Sequence, residues 1–186
     1  MNLIDQGRRK WLSLGGIVLG ASLLPTNVLA KLATPKPLTL RLYNANTGER
    51  LVTNFHNGSK FVSSELSKLN HIMRDRRNNQ VRRIDPNLFM RLYQVQRRLG
   101  LKNPEITLLS GYRSAQSNAS LRRNHRGVAS NSYHIRGQAM DFRIASVSTA
   151  KIRNAALSLS NGGVGYYPRS NFVHIDTGPD RSWRGV

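Results

Sequence analysis

Apolar and polar positions alternate along Leu38-Thr39-Leu40-Arg41-Leu42-Tyr43, the two-residue period of a half-buried strand. The polar run 44–48, ending at Gly48, turns the chain, and Leu51 to Phe55 can return as the partner strand. The spacing then changes. Leu66, Leu69, Ile72 and Met73 recur at helical intervals within residues 63–78, with basic residues on the opposite face. A second helix is predicted between Asp85, placed to cap its N-terminus, and Gly100, placed to stop it; Pro86 suits its first turn, and Leu88, Phe89, Leu92, Val95 and Leu99 form one apolar stripe. Beyond it, residues 106–109 read as a strand, 115–126 as a short helix or loop, 139–144 as a strand and 147–159 as a helix. Residues 163–167 and 171–176 can form a hairpin around 168–170. Helices followed by antiparallel strands predict an α+β fold.

The first thirty residues have a different pattern. Arg8, Arg9 and Lys10 precede a weakly apolar stretch, Trp11 to Leu24, which contains Gly15, Gly16 and Gly20; small residues Val28 and Ala30 follow. A basic start, a short apolar centre and a small-residue end are the marks of an export signal. The stretch is shorter than the roughly 20 apolar residues of a stable transmembrane helix. Arg8-Arg9-Lys10-Trp11-Leu12 and the low hydrophobicity resemble a twin-arginine signal. The expectation is delivery to the periplasm with cleavage after Ala30, membrane contact only during export, a linker over 31–37, and one domain over 38–186.

Composition narrows the chemistry. The 186 residues hold no cysteine, which excludes disulfides, thiolate metal sites and a thiol nucleophile. A metal ion would need His, Asp or Glu, of which there are five His and nine acidic residues. The net charge of +20 points to a polyanionic neighbour, whether nucleic acid, a cell-wall polymer or a lipid surface. Removal of residues 1–30 takes away Arg8, Arg9, Lys10 and Asp5 and lowers that charge by only two. The basic residues are scattered and stacking aromatics are few, so together with export no nucleic-acid partner is expected.

The chemistry centres on Ser132 to Asp141. His134 and Asp141 lie seven apart, and His174 follows in a strand-like setting. Two imidazoles and a carboxylate, with a fourth position left to water, form the layout of a catalytic zinc site. Asp141 sits between Met140 and Phe142, where a buried carboxylate without a partner is costly. Asp176, two residues after His174, shares its face of a strand and can reach the same pocket.

The Ser-x-His-x6-Asp spacing followed by a strand-borne His resembles the LAS group of zinc peptidases, which share their fold with the Hedgehog signalling domain. Ser110-Gly111-Tyr112-Arg113-Ser114, Gly162 to Pro168 and Phe172 to Asp176 extend the resemblance, as does Trp183. Within the group the whole set is similar to the MepK-like murein endopeptidases. The resemblance implies a Hedgehog/D-Ala-D-Ala-peptidase-like α+β domain, with helices on a small antiparallel sheet that carries the site. It implies one zinc ion per chain held by His134, Asp141 and His174. It implies Arg113 as a substrate-facing cation that binds a stem-peptide carboxylate or polarises the scissile carbonyl. Ser132 is a candidate to hydrogen-bond near the ligand loop, and Tyr133 either packs or lines the cleft, so both are candidate substrate-side residues. The implied reaction is metal-assisted hydrolysis of peptidoglycan cross-links, either diaminopimelate–diaminopimelate or D-Ala–diaminopimelate, and the implied partner is the stem peptide. A D,D- or L,D-carboxypeptidase and a non-catalytic wall-binding domain are the alternatives.

One departure stands out. Many relatives carry a Glu three residues, or a His two residues, before the last ligand, and here those positions are Asn171 and Phe172. Asp176 is then the nearest candidate base, or else a residue that orients the His174 ring. His125 and Asp180 are more remote candidates.

Overall fold

A computed structural model of the chain describes residues 35–124 and 129–185. The expected export signal, the first part of the linker and His125 lie outside the described residues. The order is β1 (Leu38–Asn44), β2 (Arg50–His56), α1 (Ser63–Ile72), α2 (Pro86–Arg98), β3 (Glu105–Ser110), α3 (Ala115–Asn124), β4 (Ala139–Ile144), α4 (Thr149–Leu157), β5 (Gly163–Tyr167), β6 (Phe172–Asp176) and β7 (Arg181–Arg184). Among the described residues no helix is long and apolar enough to cross a membrane.

The strands form one seven-stranded sheet in the order β2-β1-β3-β4-β6-β5-β7. The α+β class is as expected, but the sheet is neither small nor antiparallel throughout. β1 pairs β3 in parallel, and β5 pairs β7 in parallel. The first follows from the connection: the chain passes through α1 and α2 before β3, a crossover long enough to bring it back in the original direction. The second arises because β7 docks on the free edge of β5 and not beside β6. Its Arg-Ser-Trp-Arg sequence is largely exposed and lacks the apolar alternation that reveals a strand.

Helix α1 stops at Ile72, short of the expected residue 78. The chain there makes a compact turn. The Asp75 N–H donates to the Gln80 carbonyl, the Asn79 N–H donates to the Asp75 carbonyl, and Asn79 adopts φ +58°. Asn and Asp favour such local bonds over helix continuation. Helix α2 is as read: the Asp85 side chain accepts the Asn87 N–H at 3.0 Å, and Pro86 opens the first turn.

Alternation along the central strands separates two faces. Met140, Phe142, Val173 and Ile175 enter the core, where they meet Leu69 and Ile72 of α1, Leu88, Phe89 and Leu92 of α2, and Ile152 of α4. Each such side chain contributes about 1.5–3 kcal/mol by leaving water. Asp141, His174 and Asp176 occupy the alternate positions of β4 and β6.

One charge is buried within α2. Arg91 is only 2% exposed and donates to the carbonyls of Asp176 and, at 3.0 Å, Gly162. It ties the helix to the ends of β5 and of β6, the latter the strand that carries His174.

Candidate metal centre

β4 lies at the middle of the sheet, between β3 and β6. Asp141 on β4 stands directly opposite His174 on β6, and Ser110 flanks Asp141 on β3. The sheet register alone thus places a carboxylate against an imidazole. His134 comes from the loop before β4, which folds into consecutive turns closed by bonds from Ile135, Arg136, Gly137 and Gln138 N–H groups to carbonyls of residues 132–134. The Ser132 hydroxyl accepts the His134 N–H at 3.3 Å. Gly137 has φ +70°, a conformation that disfavours side chains, and a Cβ there would fall 2.7 Å from the Arg83 carbonyl oxygen.

The three side chains converge. His134 Nε2 is 3.2 Å from His174 Nδ1 and 3.4 Å from Asp141 Oδ2, and His174 Nδ1 is 2.8 Å from Asp141 Oδ1. All three residues are buried. Ligand atoms 2.0–2.2 Å from a tetrahedral ion stand roughly 3.3–3.6 Å from one another, so the spacing is that of a slightly contracted ligand face.

The outer nitrogens decide what faces inward. His134 Nδ1 lies 2.7 Å from the Gly111 carbonyl oxygen, which can only accept, so this nitrogen carries the hydrogen and Nε2 presents a lone pair. His174 Nε2 lies 3.0 Å from Asp176 Oδ2, and the neutral ring that donates there presents Nδ1 as a lone pair. Two lone pairs and a carboxylate facing one another require a cation, and the donor set fits a metal ion. Gly111 is essential to this arrangement: a Cβ would meet the Met73 carbonyl oxygen at 2.5 Å, and the neighbouring Tyr112 N–H donates to that same carbonyl.

The electrostatics express the same demand for positive charge between these groups. Burial opposes ionisation of Asp141, but the His134 and His174 rings outweigh it and hold the carboxyl well below the usual carboxylate range. Burial disfavours the charged form of His174, yet Asp141 and Asp176 on its two nitrogens raise its pKa. Burial also opposes the Asp176 charge, and His174, Arg181 and the Gly178 N–H overcome it and lower the pKa.

Asp176 is fully buried and fully engaged. Its Oδ1 accepts from the Gly163 and Gly178 N–H groups and from Arg181, at 3.2, 2.9 and 3.0 Å. Its Oδ2 accepts from Arg181 at 2.7 Å as well as from His174. It touches the outer nitrogen of His174, not the one that faces His134 and Asp141.

Arg113 lies just beyond β3. Its guanidinium donates to Asn118 Oδ1 at 3.1 Å and Ser110 Oγ at 3.4 Å. Burial lowers its pKa, and Asp141 counters that effect. Its backbone N–H donates to the His134 carbonyl, so it belongs to the same shell. Tyr133 packs against Gly178, with Arg136 and Arg181 over its ring at 5.0 and 4.8 Å. Asp180 makes no direct contact with the cluster's three residues among the described bonds.

Sequence reading missed Arg181, whose two nitrogens grip both Asp176 oxygens. Its only signal was position, five residues after Asp176. Trp183 proves to be a wall of the site: it pairs with Gly165, which also pairs with His174, and its ring lies 5.2 Å from that imidazole. Its indole N–H donates to the Tyr167 hydroxyl at 2.9 Å.

An α+β domain whose central strands and the loop before β4 bring two imidazoles and a carboxylate together defines a protein with a cluster that could hold a metal ion. Residues 32–183 match the family model described as "Peptidoglycan L,D-endopeptidase MepK", and the chain belongs to that family. It is 58% identical over 186 residues, covering both chains completely, to the probable peptidoglycan L,D-endopeptidase MepK of Haemophilus influenzae. It is 54% identical over 183 residues to the peptidoglycan L,D-endopeptidases MepK of Escherichia coli and Shigella flexneri, covering 98% of this chain and all of each relative.

Proposed function

We propose that this chain is an exported zinc-dependent murein endopeptidase that hydrolyses peptide cross-links of peptidoglycan, the diaminopimelate–diaminopimelate link foremost. The observation that carries the reading is the convergence of His134, Asp141 and His174, with both imidazoles held from their outer nitrogens. The L,D-endopeptidase names of the relatives support the choice of bond. The position of the cluster on β4 and β6, with helices over the other face, supports the Hedgehog/D-Ala-D-Ala-peptidase fold. The Arg8-Arg9 segment supports export to the periplasm by the twin-arginine route, with residues 1–30 removed.

His134 Nε2, Asp141 and His174 Nδ1 hold the ion. Zinc is favoured by the nitrogen and carboxylate donors and, when bound, supplies charge that polarises the scissile carbonyl and acidifies water. Of the two roles expected for Asp176, the geometry supports orientation of His174: both oxygens already accept hydrogen bonds, and Arg181 favours their ionised state. Arg113, a planar fork of donors next to Asp141, suits a stem-peptide carboxylate or the scissile carbonyl oxygen. Ser132 holds the backbone of His134, and Tyr133 shapes the adjoining wall.

The test is digestion of purified peptidoglycan by residues 31–186, with products resolved by chromatography and mass spectrometry. Cross-linked dimers are expected to give way to monomers, and both a chelator and His134→Ala to abolish the change. Unchanged dimers with zinc bound would refute the endopeptidase reading. Shortened stems would then indicate a carboxypeptidase, and intact stems a binding domain.

A further inference from the structure

The connection between α1 and α2 runs beside the metal cluster, where the carbonyls of Met73 and Arg83 back Gly111 and Gly137, but its arginine side chains have no part in the site described above. Residues 74–83 contain Arg74, Arg76, Arg77, Arg82 and Arg83 against one acid, Asp75. A segment so charged would ordinarily be a loose solvated loop, but this one is pinned. Asp75 is buried, its Oδ2 accepts the Ser114 N–H at 2.8 Å, and its Oδ1 accepts the Arg77 N–H at 3.0 Å. Asn78 donates to the Ser114 hydroxyl at 3.1 Å, and the Met73 carbonyl accepts the Tyr112 N–H at 2.7 Å.

Two of the arginines have local partners. Arg74 pairs with Glu49 at 2.8 Å, and Arg82 lies over the Tyr112 ring. Arg76 and Arg77 are exposed, and among the described residues their side chains have no hydrogen-bond or ion-pair partner. Both nevertheless line a single cleft together with Arg74, Gly111, Tyr112 and Arg113. That cleft adjoins the cluster, because the Gly111 carbonyl holds His134 and Ser110 pairs with Asp141. Arg77 is close enough to Arg113 to disfavour its charge further. Like charges held together on a fixed scaffold repel one another, and an anion between them converts that repulsion into binding. Guanidinium groups fit carboxylates in particular, through paired N–H donors.

We infer that the 74–80 loop is a substrate subsite in which Arg76 and Arg77 bind a carboxylate of the peptidoglycan stem peptide beside the metal cluster. This rests on the proposed function for the identity of the ligand. The Asp75 tether fixes the backbone that carries the two arginines, so less backbone freedom is lost on binding.

The experiment compares three zinc-loaded proteins: wild type, the double variant Arg76→Gln/Arg77→Gln, and Arg97→Gln/Arg98→Gln, which removes the same charge from the far end of α2. Each is titrated calorimetrically with an uncross-linked stem peptide, either with free carboxylates or with those carboxylates amidated, and each is assayed on cross-linked muropeptides. Thermal unfolding checks that all three fold. The Arg76/Arg77 variant is expected to bind the free-carboxylate peptide about tenfold more weakly, while the amidated peptide binds it and wild type alike. The loss in turnover should fall mainly on KM, and the Arg97/Arg98 variant should match wild type in every assay. Equal affinity of wild type and the Arg76/Arg77 variant would overturn the inference. So would an equal loss on the amidated peptide, the same loss in the Arg97/Arg98 variant, or no binding by wild type. The two readings fail separately. A wild type that binds the peptide through the loop but leaves cross-links intact refutes the endopeptidase; one that cleaves them regardless of Arg76 and Arg77 refutes the subsite.

Discussion

At the scale of single residues, the two imidazoles of the cluster are each set by a neighbour on the far side of the ring. His134 is aimed by the Gly111 carbonyl, and His174 by Asp176, which Arg181 holds in turn. Asp176→Asn should weaken zinc binding about 10–100-fold while leaving the fold intact, as measured by competition with a chromophoric chelator. Asp75 offers a separate pH signature. Burial pushes its carboxyl up, but the Ser117 hydroxyl and the N–H groups of Arg77 and Ser114 more than compensate, so its folded pKa lies below the ordinary value. A carboxyl depressed on folding adds stability above its unfolded pKa of about 3.9, and that stability is lost as pH falls through the folded value. Asp75→Ala should therefore cost about 1–3 kcal/mol near neutral pH. Its unfolding midpoint should approach that of wild type below pH 4, as followed by urea denaturation across a pH series.

At the scale of elements, the strand register and the α2 contact create the site. Asp141 and His174 are 33 residues apart in sequence and become partners through the β4–β6 pairing. Arg91 reaches from α2 to the carbonyls at the ends of β5 and β6. Its removal leaves buried carbonyls unpaired, so Arg91→Ala should destabilise the domain by about 3 kcal/mol, read from chemical denaturation. The apolar stripe of α2 was visible in the sequence, but nothing in that pattern singles out Arg91 among the helix's polar positions. Helical spacing tells which way a residue points only relative to its own helix; which partner waits there depends on residues 71 to 85 positions away.

At the scale of the whole molecule, the charge of +20 accompanies a substrate rich in carboxylates. Attraction between an exposed cationic surface and such a polymer is screened by salt, with a Debye length of about 8 Å at physiological ionic strength. Retention on sedimented peptidoglycan should fall steeply between low and roughly 0.5 M salt, whereas zinc content, set by buried ligands, should stay constant. Pull-down and metal analysis at each salt concentration would check both halves of this expectation.

The sequence by itself determined most of the elements, because strand and helix periodicity are local: β4 at 139–144 and α2 behind its Asp85 cap follow from neighbouring residues alone. It also pointed to His134, Asp141 and His174, through the spacing of the first two, the strand-like setting of the third and the family resemblance that this pattern carries. The tertiary structure decided the rest. That β1 and β3 run parallel, that β7 closes the edge, that Arg181 and not solvent meets Asp176, and that an arginine loop lies against Gly111 all depend on contacts between segments distant in sequence or lacking any periodic signal. Local chemistry specifies what a residue can do, and only the packing of distant segments specifies what it meets.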